Sequence, residues 1–229
     1  MQRPAAILFD VGDTVLIERQ FDLEAGIRAA LPALTEHASP LATTFRTFLR
    51  DQHNQDREPL LARWLVEHVR ELAHSPVETV EETIWPAVVT LELRPGVEAL
   101  LRQLRSAGVF LGAVSNAYFS GRILQKELKR QGLDDFFGFV LTSGDVGWRK
   151  PAVAIFEIAL RHAGVRAGEA WFVGDTYVED IVGAARVGMT PIWMRPASAA
   201  ALHDEVHGVE DWTALGGLWH DTLPVDHRT

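Results

Sequence analysis

From Arg94 onward the chain alternates short apolar runs with segments of helical period, and this rhythm narrows the possible folds more than any other feature. Pro95-Gly96 opens a helix whose inward face is Val97, Leu100, Leu101 and Leu104, and Gly108 closes it. Val109 to Val114 reads as a buried strand, 121–131 as a helix and Phe137 to Leu141 as a strand. Residues 151–163 read as a helix ending near Gly164, followed by a strand at Ala170 to Val173, a helix at 180–187 and a strand at Pro191 to Met194. Strands that alternate with helices imply an α/β fold, a parallel sheet with helices on both faces. One more strand stands at the start, where Ile7-Leu8-Phe9 stops abruptly at Asp10, followed by Val11, Gly12, Asp13 and Thr14.

Between these parts, residues 18–92 lack strong strand signals. Ala62, Leu65, Val66, Val69 and Leu72 recur at helical spacing beside Arg63, Glu67 and Arg70. Pro32, Pro40, Pro59, Pro76 and Pro86 divide the block into several short helices, a helical insertion with its own apolar faces. At the other end, Val209-Glu210-Asp211-Trp212 reads as a short strand and turn followed by a frayed tail.

The net charge of −9 argues against a nucleic-acid surface, which needs clustered Lys and Arg. The absence of cysteine excludes disulfides, thiolate metal sites and thiol nucleophiles. There is no polybasic run, signal-peptide pattern or apolar stretch near the roughly 20 residues that span a bilayer. The expectation is a cytoplasmic protein with no nucleic-acid or membrane partner, a monomer or homodimer.

Right-handed crossovers bring the ends of parallel strands to one edge, where ligands bind in open α/β sheets. Asp10, Ser115, Lys150 and Asp175 can therefore converge although they are far apart in sequence. Singly, each has a plain structural role. Asp10 and Asp175 could open turns, Ser115-Asn116 and Asp180 could cap helices, and Lys150-Pro151 could start one. Together, four such segments at four strand or helix ends point to a site.

Those four segments, FDVGDT, VSN, RKP and GDTYVEDIVGA, resemble in order and interval the four motifs of the haloacid dehalogenase (HAD) superfamily. The resemblance implies a Rossmann-like core at 1–17 and 93–229 and an all-helical cap at 18–92. It further implies a Mg²⁺-dependent phosphatase of small phosphorylated metabolites. Asp10 is then the nucleophile that forms an aspartyl-phosphate, and Asp10, the Gly12 carbonyl and Asp175 hold Mg²⁺. Ser115, Asn116 and Lys150 bind the phosphoryl group. Asp180 supports Lys150 or a metal-bound water, and Thr14 steadies the loop at Asp10.

One departure matters. These phosphatases usually carry a second Asp two positions after the nucleophile, as general acid, and here that position is Gly12. Asp13 is adjacent but displaced by one residue. Losing a general acid costs about 10²–10⁴-fold, least for leaving groups already stable as anions. Two alternatives stay open: a 2-haloacid dehalogenase-like hydrolase, whose halide leaves without a proton, and a weakly active or inactive binding protein. An acid at position 175 opposes the dehalogenase, since two facing carboxylates repel unless a cation lies between them. Outside the motifs, Tyr118 and Trp148 are candidates to line the entrance, and Arg46 and Arg50 to form an exposed face. His203 and His207 lie one helical turn apart, which reads as a solvated helix face.

Overall fold

The computed structural model describes residues 1–133, 135–195 and 206–222. The first strand, β1 (Ala6–Phe9), leads through the Asp10 loop into β2 (Leu16–Phe21). Four helices follow: α1 (Leu23–Ala30), α2 (Ala38–His53), α3 (Leu61–His68) and α4 (Val77–Val88). The chain returns through β3 (Val89–Leu93) to α5 (Val97–Ser106), β4 (Phe110–Ser115), α6 (Gly121–Arg130), β5 (Val140–Thr142) and the short α7 (Ser143–Val146). Then come α8 (Val153–Ala163), β6 (Ala170–Gly174), a π-helical turn at Tyr177–Val182 that runs into α9 (Gly183–Arg186), β7 (Thr190–Met194), β8 (His207–Val209) and α10 (Trp212–His220).

Six strands form one parallel sheet in the order β5-β4-β1-β6-β7-β8. β1 is buried throughout because both of its sheet faces are covered. Ile7 and Phe9 pack with Leu100 and Leu104 of α5 and with Trp212, whereas Ala6 and Leu8 pack with Ile155, Phe156 and Ala159 of α8. The period-2 alternation of one strand thus serves two helical layers, the α/β arrangement expected from the rhythm of the sequence.

The insertion has its own core, in which Leu23 and Ile27 of α1, Phe45 of α2, Leu65 of α3 and Ile84 of α4 are buried together. Pro40 falls in the first turn of α2, where a missing N–H costs little, and Pro86 lies in the last turn of α4, which continues to Val88. The periodicity of 18–92 announces helices only, yet β2 and β3 extend into it as an antiparallel ribbon, Leu16 opposite Leu93 and Phe21 opposite Val89. β2 is exposed beyond Ile17, so it lacks the apolar alternation that marks a half-buried strand.

Where a frayed tail is expected after Trp212, the chain forms α10 as far as His220, and residues 223–229 lie outside the described residues. Asp211 caps the helix, its Oδ1 accepting from Ala214 N at 2.8 Å, and the Trp212 ring stacks on Phe9 with centroids 5.2 Å apart. Gly216-Gly217 hides this helix in the sequence. His203 lies outside the described residues, and His207 opens β8.

Candidate active site

β1 lies between β4 and β6, with Phe9 opposite both Ala113 and Val173. The carboxyl ends of the three strands therefore meet at the point where the strand order reverses. Asp10 continues β1 by one residue, its N–H donating to Val173 O at 2.8 Å. Ser115 ends β4, and Asp175 follows Gly174 at the end of β6.

Lys150 arrives from the loop before α8, gripped by Asn116. Lys150 N donates to Asn116 Oδ1 at 2.8 Å, and Asn116 Nδ2 donates to Lys150 O at 3.0 Å and to Glu179 Oε2 at 2.9 Å. The Asn116 amide is thus spent on the Lys150 backbone and Glu179. Lys150 Nζ donates to Asp10 Oδ1 at 2.7 Å and to Asp180 Oδ1 at 2.6 Å, and its side chain is 1% exposed. Asp180 is fixed in turn, its Oδ2 accepting from Thr176 N at 2.9 Å. A Cβ at Gly174 would come within 2.3 Å of the Asp180 carboxyl carbon, so only glycine lets that carboxylate pack here.

Asp10, Asp175 and Asp180 each offer a carboxylate oxygen, all within 4.8 Å of one another. One ammonium faces three acids. Burial pushes Asp10 up to about 7, with Lys150 opposing and Asp180 and Asp175 adding. Burial and Asp180 likewise push Asp175 up to about 6. Burial opposes charge on Lys150, but Asp10 and Asp180 outweigh it and hold the ammonium above its usual range. The cluster carries more negative charge than its lysine balances, and its all-oxygen donors fit a hard divalent cation.

Thr14 is buried, with its Oγ1 3.5 Å from Asp175 Oδ1, so it reaches the second acid of the cluster; its carbonyl accepts from Trp212 Nε1 at 2.9 Å. Gly12 faces open space, and a Cβ built there meets nothing within 4 Å. Asp13 does not fill that space. Its backbone is left-handed at φ 50°, its Oδ1 accepts from Glu18 N at 3.2 Å and its carbonyl accepts from Arg94 at 2.6 Å.

Sequence reasoning overlooked the bracket behind Lys150. Arg149 bonds Glu179 at 2.8 Å and Glu58 at 3.2 Å, and Glu58, buried within the insertion, also meets His53 at 2.8 Å. No local pattern marks Glu58, since Arg149 comes from far along the chain and only His53 is near it in sequence. Of the two aromatic candidates, Tyr118 lines a cavity beside the cluster, while Trp148 lies under the Arg57 guanidinium at 4.0 Å. Arg46 and Arg50 stand exposed on α2.

The model of haloacid dehalogenase-like hydrolases matches residues 4–188. A glyceraldehyde 3-phosphate phosphatase of Methanothermobacter thermautotrophicus is 31% identical over 211 residues, covering 88% of this chain and 90% of that protein. Haloacid dehalogenase-like hydrolase domain-containing protein 3 of Bos taurus is 30% identical over 200 residues, 80% of this chain and 78% of the other. Among solved structures, a HAD phosphatase from Thermococcus onnurineus shares the fold at a TM-score of 0.63 and 23% identity, covering 95% of this chain and 97% of that one. A 2-haloacid dehalogenase from Pseudomonas syringae superposes with a TM-score of 0.63 at 25% identity, covering 97% and 100%. With its motifs gathered at one sheet edge and its family model spanning most of the sequence, the chain belongs to the haloacid dehalogenase-like hydrolases.

Proposed function

We propose that the chain is a Mg²⁺-dependent phosphatase of small phosphorylated metabolites that works through an aspartyl-phosphate on Asp10. The observation that carries this reading is the Lys150 ammonium held between Asp10 and Asp180, with Asp175 close enough to share a cation with Asp10. The phosphatase names of several relatives support it.

A carboxylate oxygen of Asp10 attacks phosphorus, and the bond from phosphorus to the leaving oxygen breaks. Lys150 neutralises charge on the phosphoryl group, opposes protonation of Asp10 and aims it. Ser115 and the backbone N–H groups after β4 hold a phosphoryl oxygen; the Asn116 side chain serves by fixing Lys150. Asp180 positions Lys150, and Thr14 steadies Asp175. Asp10, Asp175 and the Gly12 carbonyl would hold Mg²⁺, which supplies further charge neutralisation. Water then attacks phosphorus, releasing phosphate and restoring Asp10. The core comprises 1–17 and 93–229, and residues 18–92 act as a cap that excludes water when closed.

Gly12 leaves the departing oxygen without the usual proton donor, so esters with stable leaving anions turn over fastest. Gly12→Asp, whose Cβ has room, is expected to raise alkyl-ester hydrolysis by about 10²-fold. No gain in a folded, Mg²⁺-binding variant counts against the missing-acid account. Gly12 also favours a second reading, dehalogenation, in which no proton is needed. Assaying a panel of phosphate esters and 2-haloacids with Mg²⁺ and with chelator separates the two. Phosphate release that chelator abolishes supports the phosphatase, and chelator-resistant halide release rejects it.

A further inference from the structure

An open cleft of about 350 Å³ lies beside the carboxylate cluster, at the lower end of the range for small-ligand sites. Gly12, Ser115 and Asn116 bring it to the loops after β1 and β4. Its other walls are apolar, with Leu16 and Phe21 from β2, Leu91 from β3, Trp85 from α4 and Phe119 before α6. Phe21 is 41% exposed, an aromatic ring that the protein itself leaves partly uncovered. Tyr118 packs edge-on to it with centroids 5.9 Å apart. Burial, with Glu58 and Glu18 adding, holds the Tyr118 hydroxyl above its usual range, so it stays a neutral donor.

Among the described residues that wall the cavity none is Lys, Arg or His, and Glu18 is the one charge. Arg46, whose charge is felt at Tyr118, stands exposed on α2 outside the wall. A second phosphate or a carboxylate seated here would lose part of its water, find no cation in the wall and face Glu18. An apolar group would instead cover surface that is now wet. Gly12 lines this cleft and brings no side chain into it.

Building on the phosphatase reading, we propose that this cavity seats the leaving group of the substrate. The leaving group is uncharged, apolar and about the size of one ring. Esters that carry a second anion, such as sugar bisphosphates and carboxylated phosphates, are excluded.

The test pairs binding with turnover. Benzylphosphonate, 4-carboxybenzylphosphonate and a glycerol-like phosphonate, none of which can be hydrolysed, are titrated by calorimetry with Mg²⁺ present. Phosphate release is followed from the matching phosphate esters. Benzyl and polyol alcohols are similarly poor leaving groups, so a difference between them reports the cavity and not the missing acid. The benzyl ligand is expected to bind about tenfold or more tighter than the other two, with kcat/KM in the same order. Glu18→Gln is expected to narrow the gap to the carboxylated ligand. Equal or tighter binding of the carboxylated or polyol ligand overturns the proposal, as does failure of all three to bind. Benzyl-selective binding without turnover of any ester overturns the phosphatase reading and upholds the cavity. Turnover that favours the anionic esters does the reverse.

Discussion

At the carboxyl edge of the sheet, Lys150 divides one charge between Asp10 and Asp180 while Asp175 stands close by. In the helical insertion, Glu58 and Glu81 are also buried, and each reaches a partner beyond the insertion, Glu58 holding His53 within it as well. Glu58 meets Arg149, and Glu81 accepts from Ser120 N at 2.7 Å and Ser120 Oγ at 2.6 Å. Both regions bury acids, and what separates them is balance. The insertion's acids are matched donor for donor, so they act as joints. The edge keeps surplus negative charge, a state that makes sense where a cation and a phosphoryl group come and go.

The comparison breaks most sharply at Asp10. Asp10→Asn is expected to lower phosphate release by at least about 10³-fold while leaving the melting temperature unchanged or raised, because one of three crowded acids loses its charge. Retained turnover would place the chemistry elsewhere. Lys150→Met leaves Asp10 and Asp180 buried without their ammonium; urea unfolding should show a loss of about 3–5 kcal/mol. A mild effect would mean that the edge tolerates its charge without help. Mg²⁺ at a hundred times its dissociation constant is expected to add about 2.7 kcal/mol, read as a rise of several degrees in melting temperature. Asp175→Asn should abolish that rise and Glu58→Gln should not; the opposite pattern would invert the roles of the two regions. Glu81→Ala, at a joint, should cost only about 1–3 kcal/mol, from the unpaired Ser120 N–H, as seen by urea unfolding.

The two regions were also unequally legible. The edge could be read because three of its residues sit at the ends of apolar strands, which a parallel sheet puts side by side, while Lys150 and Asp180 come from a loop and a π-helical turn and were read from their motifs. Asp10, Ser115 and Asp175 follow from that rule alone. The role of the Asn116 side chain did not follow, because motif spacing places a residue without saying which groups saturate it. In the insertion, the apolar period gave helices but not their partners. β2 is polar and exposed beyond Ile17, so it carries no strand pattern, whereas β3 alternates Val89, Leu91 and Leu93 with Thr90 and Glu92, a period-2 signal overlooked at the end of a helical block. Likewise α10 is specified by Asp211 and two buried tryptophans, against the helix-weakening pull of Gly216-Gly217.

The Glu81–Ser120 bond has a consequence for any chimaera made from this chain. The acceptor for the start of α6 is grown on a helix 39 residues upstream, within the segment that a graft would replace. A foreign segment spliced between β2 and β3 would have to bring a carboxylate to the same place and an apolar surface for Phe119. Without them, the wall of the cavity would come loose at the point where the graft was meant to reshape it.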